Sequence, residues 1–213
     1  MTTRFLQDII RLPVEMHRAI DYLTGPGQEA MQQASSLIRS ARDVVITGIG
    51  ASWNAALSAG ASFYSGGRPV YMQEAGELLH FTAIPRGAVI IAISRTGRSI
   101  EIVQLLAKAE TNGAAVIGIT NSADSPLARE SAGAIVVPTV LDHAISVNTY
   151  STLLITASVL ASAATTGFAS FAGSLLHTIG EAGRSLELCQ ERCKSRTGSQ
   201  AGYPTISSHA VAV

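Results

Sequence analysis

The chain is predicted to fold as an α/β protein: a three-layer αβα arrangement around a five-stranded parallel sheet, preceded by two helices. Three observations predict it. Short apolar runs recur at residues 43–47, 69–72, 88–93, 114–120 and 134–137. Segments with helical spacing separate them, and the runs are nearly continuous rather than alternating, as in strands covered on both faces. The composition is 47% hydrophobic and only 14% charged, which suits a well-buried α/β core and excludes a disordered chain.

In order, residues 4–23 place Phe5, Ile9, Leu12, Met16, Ile20 and Leu23 at helical spacing. Pro13 should kink or divide this element. Gly25-Pro26-Gly27 stops it, and a second helix follows over 28–41. After the first strand a helix covers 52–64, and after the second a short one covers 75–80. The third strand leads into a helix over 100–110, the fourth into a short helix at 126–131, and the fifth into a long helix over about 147–165. Residues 168–193 carry a further helical pattern, and from Ser195 no pattern remains. The expected organisation is a helical lead-in (1–42), one sheet domain (43–167), a C-terminal helix (168–194) and a loose tail (195–213).

Bulk properties narrow the function. A chain of 213 residues suffices for one α/β domain with helical additions. The net charge is zero, with no basic stripe to suggest nucleic acid, and residues 1–41 carry no strong basic cluster. The run 150–167 is broken by seven hydroxyl side chains and reads as a buried core helix, not a membrane span. Cys189 and Cys193, one helical turn apart without a neighbouring histidine, read as free thiols of a cytoplasmic protein rather than a disulfide or half a metal site. The opening residues, with Asp8 and Glu15 in the first amphipathic segment, lack the pattern of a secretory leader.

The most informative stretch is Ser94-Arg95-Thr96-Gly97-Arg98-Ser99, which lies where a buried strand turns into a helix. A helix N-terminus offers free N–H groups and partial positive charge, and small hydroxylated residues add donors, so this loop suits a phosphate. It is not a Walker loop, because no G-x-x-x-x-G-K-[ST] occurs. The first strand ends in Gly48-Ile49-Gly50-Ala51-Ser52-Trp53, which resembles the start of a dinucleotide fingerprint, and Glu74 stands near the place of a ribose-binding acid. Trp53 occupies the third-glycine position, which must be small, and this argues against a nucleotide cofactor. Ser52 either faces the same pocket as Ser94 or caps the following helix. After the fifth strand, the loop holding His143, Ser146 and Asn148 should reach the same edge; Ser146 is either a ligand contact or the cap of the long helix.

At these loops the chain resembles the sugar isomerase (SIS) domain family, a flavodoxin-like fold. It is most similar to the first of the two tandem domains in glutamine–fructose-6-phosphate aminotransferases and related phosphosugar isomerases and deaminases. Residues 46–54, 93–99, 74–77 and 144–150 carry the resemblance, together with the lead-in at Asp8, Ile9, Pro13 and residues 16–20. The resemblance implies that Ser94, Thr96 and Ser99 hold a phosphate, helped by the Arg95 amide and by Ser52. It implies that Gly50, Ala51, Ala144 and Ser146 meet the sugar. Glu77, Arg98 and His143 are further candidates: Glu77 matches a recurrent family acid, Arg98 replaces a usual glutamate, and His143 should border the pocket. Asn148 stands where lysine is frequent.

The implied ligand is a sugar phosphate such as fructose 6-phosphate or glucosamine 6-phosphate, in aminosugar metabolism, bound by a homodimer without cofactor or metal. Isomerisation needs a base and a ring-opening acid. The tandem enzymes draw these mainly from their second domain, and only one βαβ series is present here. His17, His80, His177 and His209 are scattered, and the cysteine nucleophile of an amidotransferase half is missing. The alternative is therefore a non-catalytic phosphosugar sensor or a truncated tandem product.

Overall fold

The computed structural model of the protein describes residues 3–143 and 145–198. Two helices, α1 (Arg4–Thr24) and α2 (Gln28–Ser40), precede an alternating series. The series runs β1 (Val44–Gly48), α3 (Ala51–Ser65), β2 (Tyr71–Met72), α4 (Ala75–His80), β3 (Val89–Ile93) and α5 (Ile100–Thr111), then β4 (Ala115–Thr120), α6 (Pro126–Glu130), β5 (Gly133–Val136), α7 (Asn148–Ala164) and α8 (Phe168–Gly198). The five strands form one sheet in the order β2-β1-β3-β4-β5, every pair parallel. The fold class is the expected one.

Side chains of each strand alternate between the two faces. Val44, Ile46, Ile91, Ile93, Ile117 and Ile135 meet α1, α2, α3 and α7 on one side. Val45, Ile90, Ala92 and Val116 meet α4, α5 and α6 on the other. Burial on both faces explains the continuous apolar runs. On the first face, α3 and α7 approach through Ala55, Ala56, Ala59, Ala157 and Ala161, all buried. Thr149, Thr152, Thr156, Ser158 and Ser162 of α7 are also buried; Thr152 and Thr156 donate back to Thr149 O and Thr152 O, at 3.2 and 2.7 Å. Helix α7 is thus a core helix, and among the described residues no helix is long and apolar enough to cross a membrane.

Pro13 does not divide α1, which runs unbroken from Arg4 to Thr24. Tertiary contacts hold the helix on either side of the proline. Asp8 and Glu15 bond the loop after β5, and Gly183 of α8 lies so near that a Cβ there would sit 3.6 Å from Pro13 Cβ. The buried face of α1 also differs from expectation: Asp8 and Glu15 are buried, whereas Phe5 is 42% exposed. Helix α8 continues through Gly198, so residues 195–198 are helical rather than tail. Residues 199–213 of the expected tail lie outside the described residues.

The register matters most for function. Gly48 of β1 pairs with Ile93 of β3, so both strands end at one level. The chain leaves β1 toward β2 on one side and β3 on the other, which makes this the switch point of the sheet. The loops after β1 and β3 emerge there side by side.

Candidate functional site

The loop after β1 is shaped by two glycines with different duties. A Cβ on Gly48 would lie 2.7 Å from the Ser52 backbone, so glycine lets the first turn of α3 sit against the strand end. Gly50 caps α3 with φ 57° and ψ −122°, a backbone region essentially reserved for glycine. Ser52 is inside the first turn and is not the cap; its N–H bonds Ile49 O at 3.1 Å. Its side chain faces the cleft described below.

The loop after β3 is pinned at several points. Ser94 is 5% exposed, and its Oγ accepts from the Gly97 N–H at 3.1 Å. Thr96 Oγ1 accepts from the Arg98 N–H at 3.3 Å. The Arg95 carbonyl accepts from Thr120 Oγ1 and from the Asn121 N–H, at 3.1 and 3.2 Å. Ser99 is the N-cap of α5 but makes no side-chain capping bond. The first-turn N–H groups of α5 are therefore not taken up by their own cap.

The loop between β5 and α7 is held by three carboxylates. Asp142 reaches forward to α7: Oδ1 accepts from Asn148 N and Nδ2, at 2.8 and 2.9 Å, and Oδ2 from Thr149 N and Oγ1, at 3.0 and 2.6 Å. Burial alone would raise the Asp142 pKa; the bonds from Thr149 and Asn148 outweigh it and hold the carboxyl below its ordinary value. Asp142, not Ser146, thus does the work of capping α7. Asp8 of α1 accepts from the His143 N–H at 2.9 Å and from its ring at 2.8 Å, with Arg11 at 2.9 Å on the same carboxylate. Burial opposes ionisation of Asp8, but the His143 bonds and the charges of His143 and Arg11 carry its pKa below the ordinary value. An ionised carboxylate only accepts, so His143 Nδ1 carries the proton here. Glu15 adds a bond from Val140 N at 3.1 Å.

These three loops enclose a cleft of about 230 Å3 at the switch point. Ala51 and Ser52 line it from the first loop, Ser94, Arg95, Thr96 and Ser99 from the second, and Ser146 from the third. Ile49, Ile93 and Ile102 form its apolar floor, which the loop motifs did not reveal because these isoleucines read as ordinary core. Arg95 Nη1 donates to Ser146 Oγ at 3.0 Å and so bridges the second and third loops. Among the described residues, Arg95 is the only charged side chain in the lining.

The remaining candidates lie elsewhere. Gly50 forms the turn beside the cleft. Arg98 turns away and donates to Asp124 O at 2.7 Å. His143 faces Asp8, and Glu77 is exposed on α4; neither lines the cleft. Ala144 lies outside the described residues. Glu74 caps α4, accepting from the Gly76 N–H at 2.8 Å, which accounts for the acid without a ribose. A larger groove of about 470 Å3 runs along the β2 edge past Tyr64, Tyr71, Met72 and Pro85. It is mainly apolar and lies at the sheet edge rather than at the switch point, so the smaller polar cleft is the better candidate. Among the described residues no cluster of three or more His, Cys, Asp or Glu could hold a metal, and Cys189 is a free thiol.

The fold and the cleft define an α/β domain whose five-stranded parallel sheet gathers hydroxyls, an arginine and a helix N-terminus at its switch point, a setting suited to an anion. The model of the SIS domain family matches residues 37–164, and the chain belongs to this family. It is 33% identical over 130 residues to arabinose 5-phosphate isomerase KdsD of Francisella tularensis, covering 58% of this chain and 39% of the relative. It is 36% identical over 107 residues to the HTH-type transcriptional regulator HexR of Pseudomonas aeruginosa, covering 47% of this chain and 36% of the relative. The chain therefore spans well under half the length of either. Among solved structures, the C-terminal domain of glucosamine-fructose-6-phosphate aminotransferase from Francisella tularensis superposes with a TM-score of 0.70 at 18% identity. That match covers 93% of this chain and 57% of the other, and it shows the fold.

Proposed function

We propose that the switch-point cleft binds a sugar phosphate of aminosugar metabolism, such as fructose 6-phosphate or glucosamine 6-phosphate. The observation that carries this reading is the uncapped start of α5 opening into a cleft with hydroxyls from two adjacent strand ends. Ser94, Thr96, Ser99 and Ser52, with the Arg95 amide, receive the phosphate; Gly50, Ala51 and Ser146 lie toward the sugar. Similarity to an arabinose 5-phosphate isomerase and to a glucosamine-fructose-6-phosphate aminotransferase supports the ligand class. Calorimetry on the full chain tests it. Replacing Ser94 and Thr96 together by alanine should weaken binding by about 2–4 kcal/mol, the loss of two charge-assisted hydrogen bonds. Unchanged affinity would reject the loop as the phosphate seat.

A second reading, binding without turnover, is favoured by the lining itself. Among the described residues it contains no Asp, Glu, His, Lys or Cys that could transfer a proton. Incubation of the full chain with fructose 6-phosphate, with and without ammonia, separates the two. Product formation that falls on substitution of cleft residues would exclude a purely binding role. The exposed stripe of Leu6, Ile10 and Val14 on α1 supports assembly as a homodimer, which light scattering would register.

A further inference from the structure

We infer that the ligand carries a carboxylate in addition to its phosphate, and that Arg95 reads it. This rests on the phosphosugar reading above and names the substrate class within it. The two arginines of the loop after β3 have opposite fates. The Arg98 guanidinium is spent on the Asp124 carbonyl, outside the cleft. Arg95 lines the cleft, and its hydrogen-bond partner is a neutral hydroxyl, Ser146 Oγ, at 3.0 Å. Among the described residues no carboxylate pairs with Arg95, and none lines the cleft.

A guanidinium presents five donors in a planar fork, and a single bond to a serine leaves most of them unengaged. Its direction is informative. The phosphate has its own seat in the hydroxyls and free N–H groups at the start of α5. Arg95 instead reaches across to the loop after β5, at the sugar end of the cleft. The Arg95 backbone does not swing freely, because its carbonyl is fixed by Thr120 Oγ1 at 3.1 Å and the Asn121 N–H at 3.2 Å. A fork anchored on Ser146 Oγ suits a planar carboxylate, which takes two parallel N–H bonds and a third from the Ser146 hydroxyl. A phosphorylated sugar acid satisfies both ends of the cleft; a neutral phosphosugar leaves the charge at Arg95 unmatched.

Two probes differ in this one group. Sorbitol 6-phosphate and 6-phosphogluconate are both open chains, with a hydroxymethyl in one and a carboxylate in the other. Calorimetry on the full chain at constant ionic strength should show the acid bound about tenfold more tightly, the order expected for a charge-assisted pair at a partly exposed site. In Arg95→Gln the ratio of the two affinities should fall to about one, whatever becomes of either affinity alone. Equal binding by the unaltered protein overturns the inference and leaves the phosphosugar reading standing. So does a preference that survives in Arg95→Gln, or an equal loss for both ligands that leaves the ratio unchanged. Failure of both probes, and of fructose 6-phosphate and glucosamine 6-phosphate beside them, overturns the phosphosugar reading itself, and this inference with it; failure of the two probes alone overturns only this inference.

Discussion

The carboxylate of Asp8 accepts two hydrogen bonds from His143, 135 residues away, one from the backbone at 2.9 Å and one from the ring at 2.8 Å. This contact fixes the loop that carries Ser146 to the N-terminal helix, so α1 takes part in building the cleft.

Asp8 gives the first prediction. Its pKa is lower in the fold than its ordinary value of 3.8. A depressed carboxyl adds stability that is complete above 3.8 and is lost as the pH falls through the lower folded value. Asp8→Asn should therefore be less stable than the parent near neutral pH and should lose less on acidification. Urea midpoints followed by circular dichroism across the acid range would show this as a flatter limb. Parallel limbs would assign the acid sensitivity to other carboxylates, with Asp142 the first to test.

Gly97 gives the second. Its φ is 60°, and a Cβ would lie 2.3 Å from Ser125 Oγ. Gly97→Ala should cost about 1–3 kcal/mol from strain and overlap combined. The same substitution should weaken phosphosugar binding, because Ser94 Oγ is held by the Gly97 N–H. Denaturation and calorimetry on one preparation would report both effects.

Lys108 of α5 gives the third. Its ammonium donates to three carbonyls, Leu78 O, Leu79 O and Thr82 O, at 3.0, 2.7 and 2.8 Å. It closes the end of α4 from a neighbouring helix. Lys108→Met should destabilise the protein by about 1–3 kcal/mol, the range for lost bonds to a charged donor. Lys108→Arg should recover little, since a planar fork cannot copy three converging ammonium bonds.

Thr47 of β1 moves in the other direction. Its hydroxyl is buried and has no hydrogen-bond partner among the described residues. Thr47→Val keeps the branched shape and removes the orphaned group, so it should raise stability by about 1 kcal/mol. A loss of stability in urea titration would instead assign the hydroxyl a bound water.

The sheet was legible because its physics is local. Runs such as residues 89–93 are apolar on both faces, and only strands covered on both sides require that. That Ser94, Thr96 and Ser99 share one cleft was legible for the same reason: they sit within six residues of chain at a strand-to-helix turn. What escaped was non-local. Nothing in the sequence tells that Asp8 and Glu15 leave the solvent face of α1 to hold residues 140 and 143. Nor does it tell that Asp142 caps α7 from six residues upstream and frees Ser146 for the cleft. His143 reads as a pocket residue by position alone; its ring points to Asp8 because a buried carboxylate there needs a donor. The two arginines of the loop after β3 look alike on paper, and only the Asp124 carbonyl and Ser146 tell them apart.

The pairing of Gly48 with Ile93 has a consequence for how such a domain can diversify. The ladder sets the level of both loop mouths, so the distance between them does not depend on which side chains the loops present. Arg95 is exposed and contributes nothing to either core cluster. Exchanging it alters the charge of the cleft without loosening the sheet beneath. The charge of the cleft and the packing of the sheet are thus set by different residues in this chain, and the first can drift by single substitutions while the second stays put.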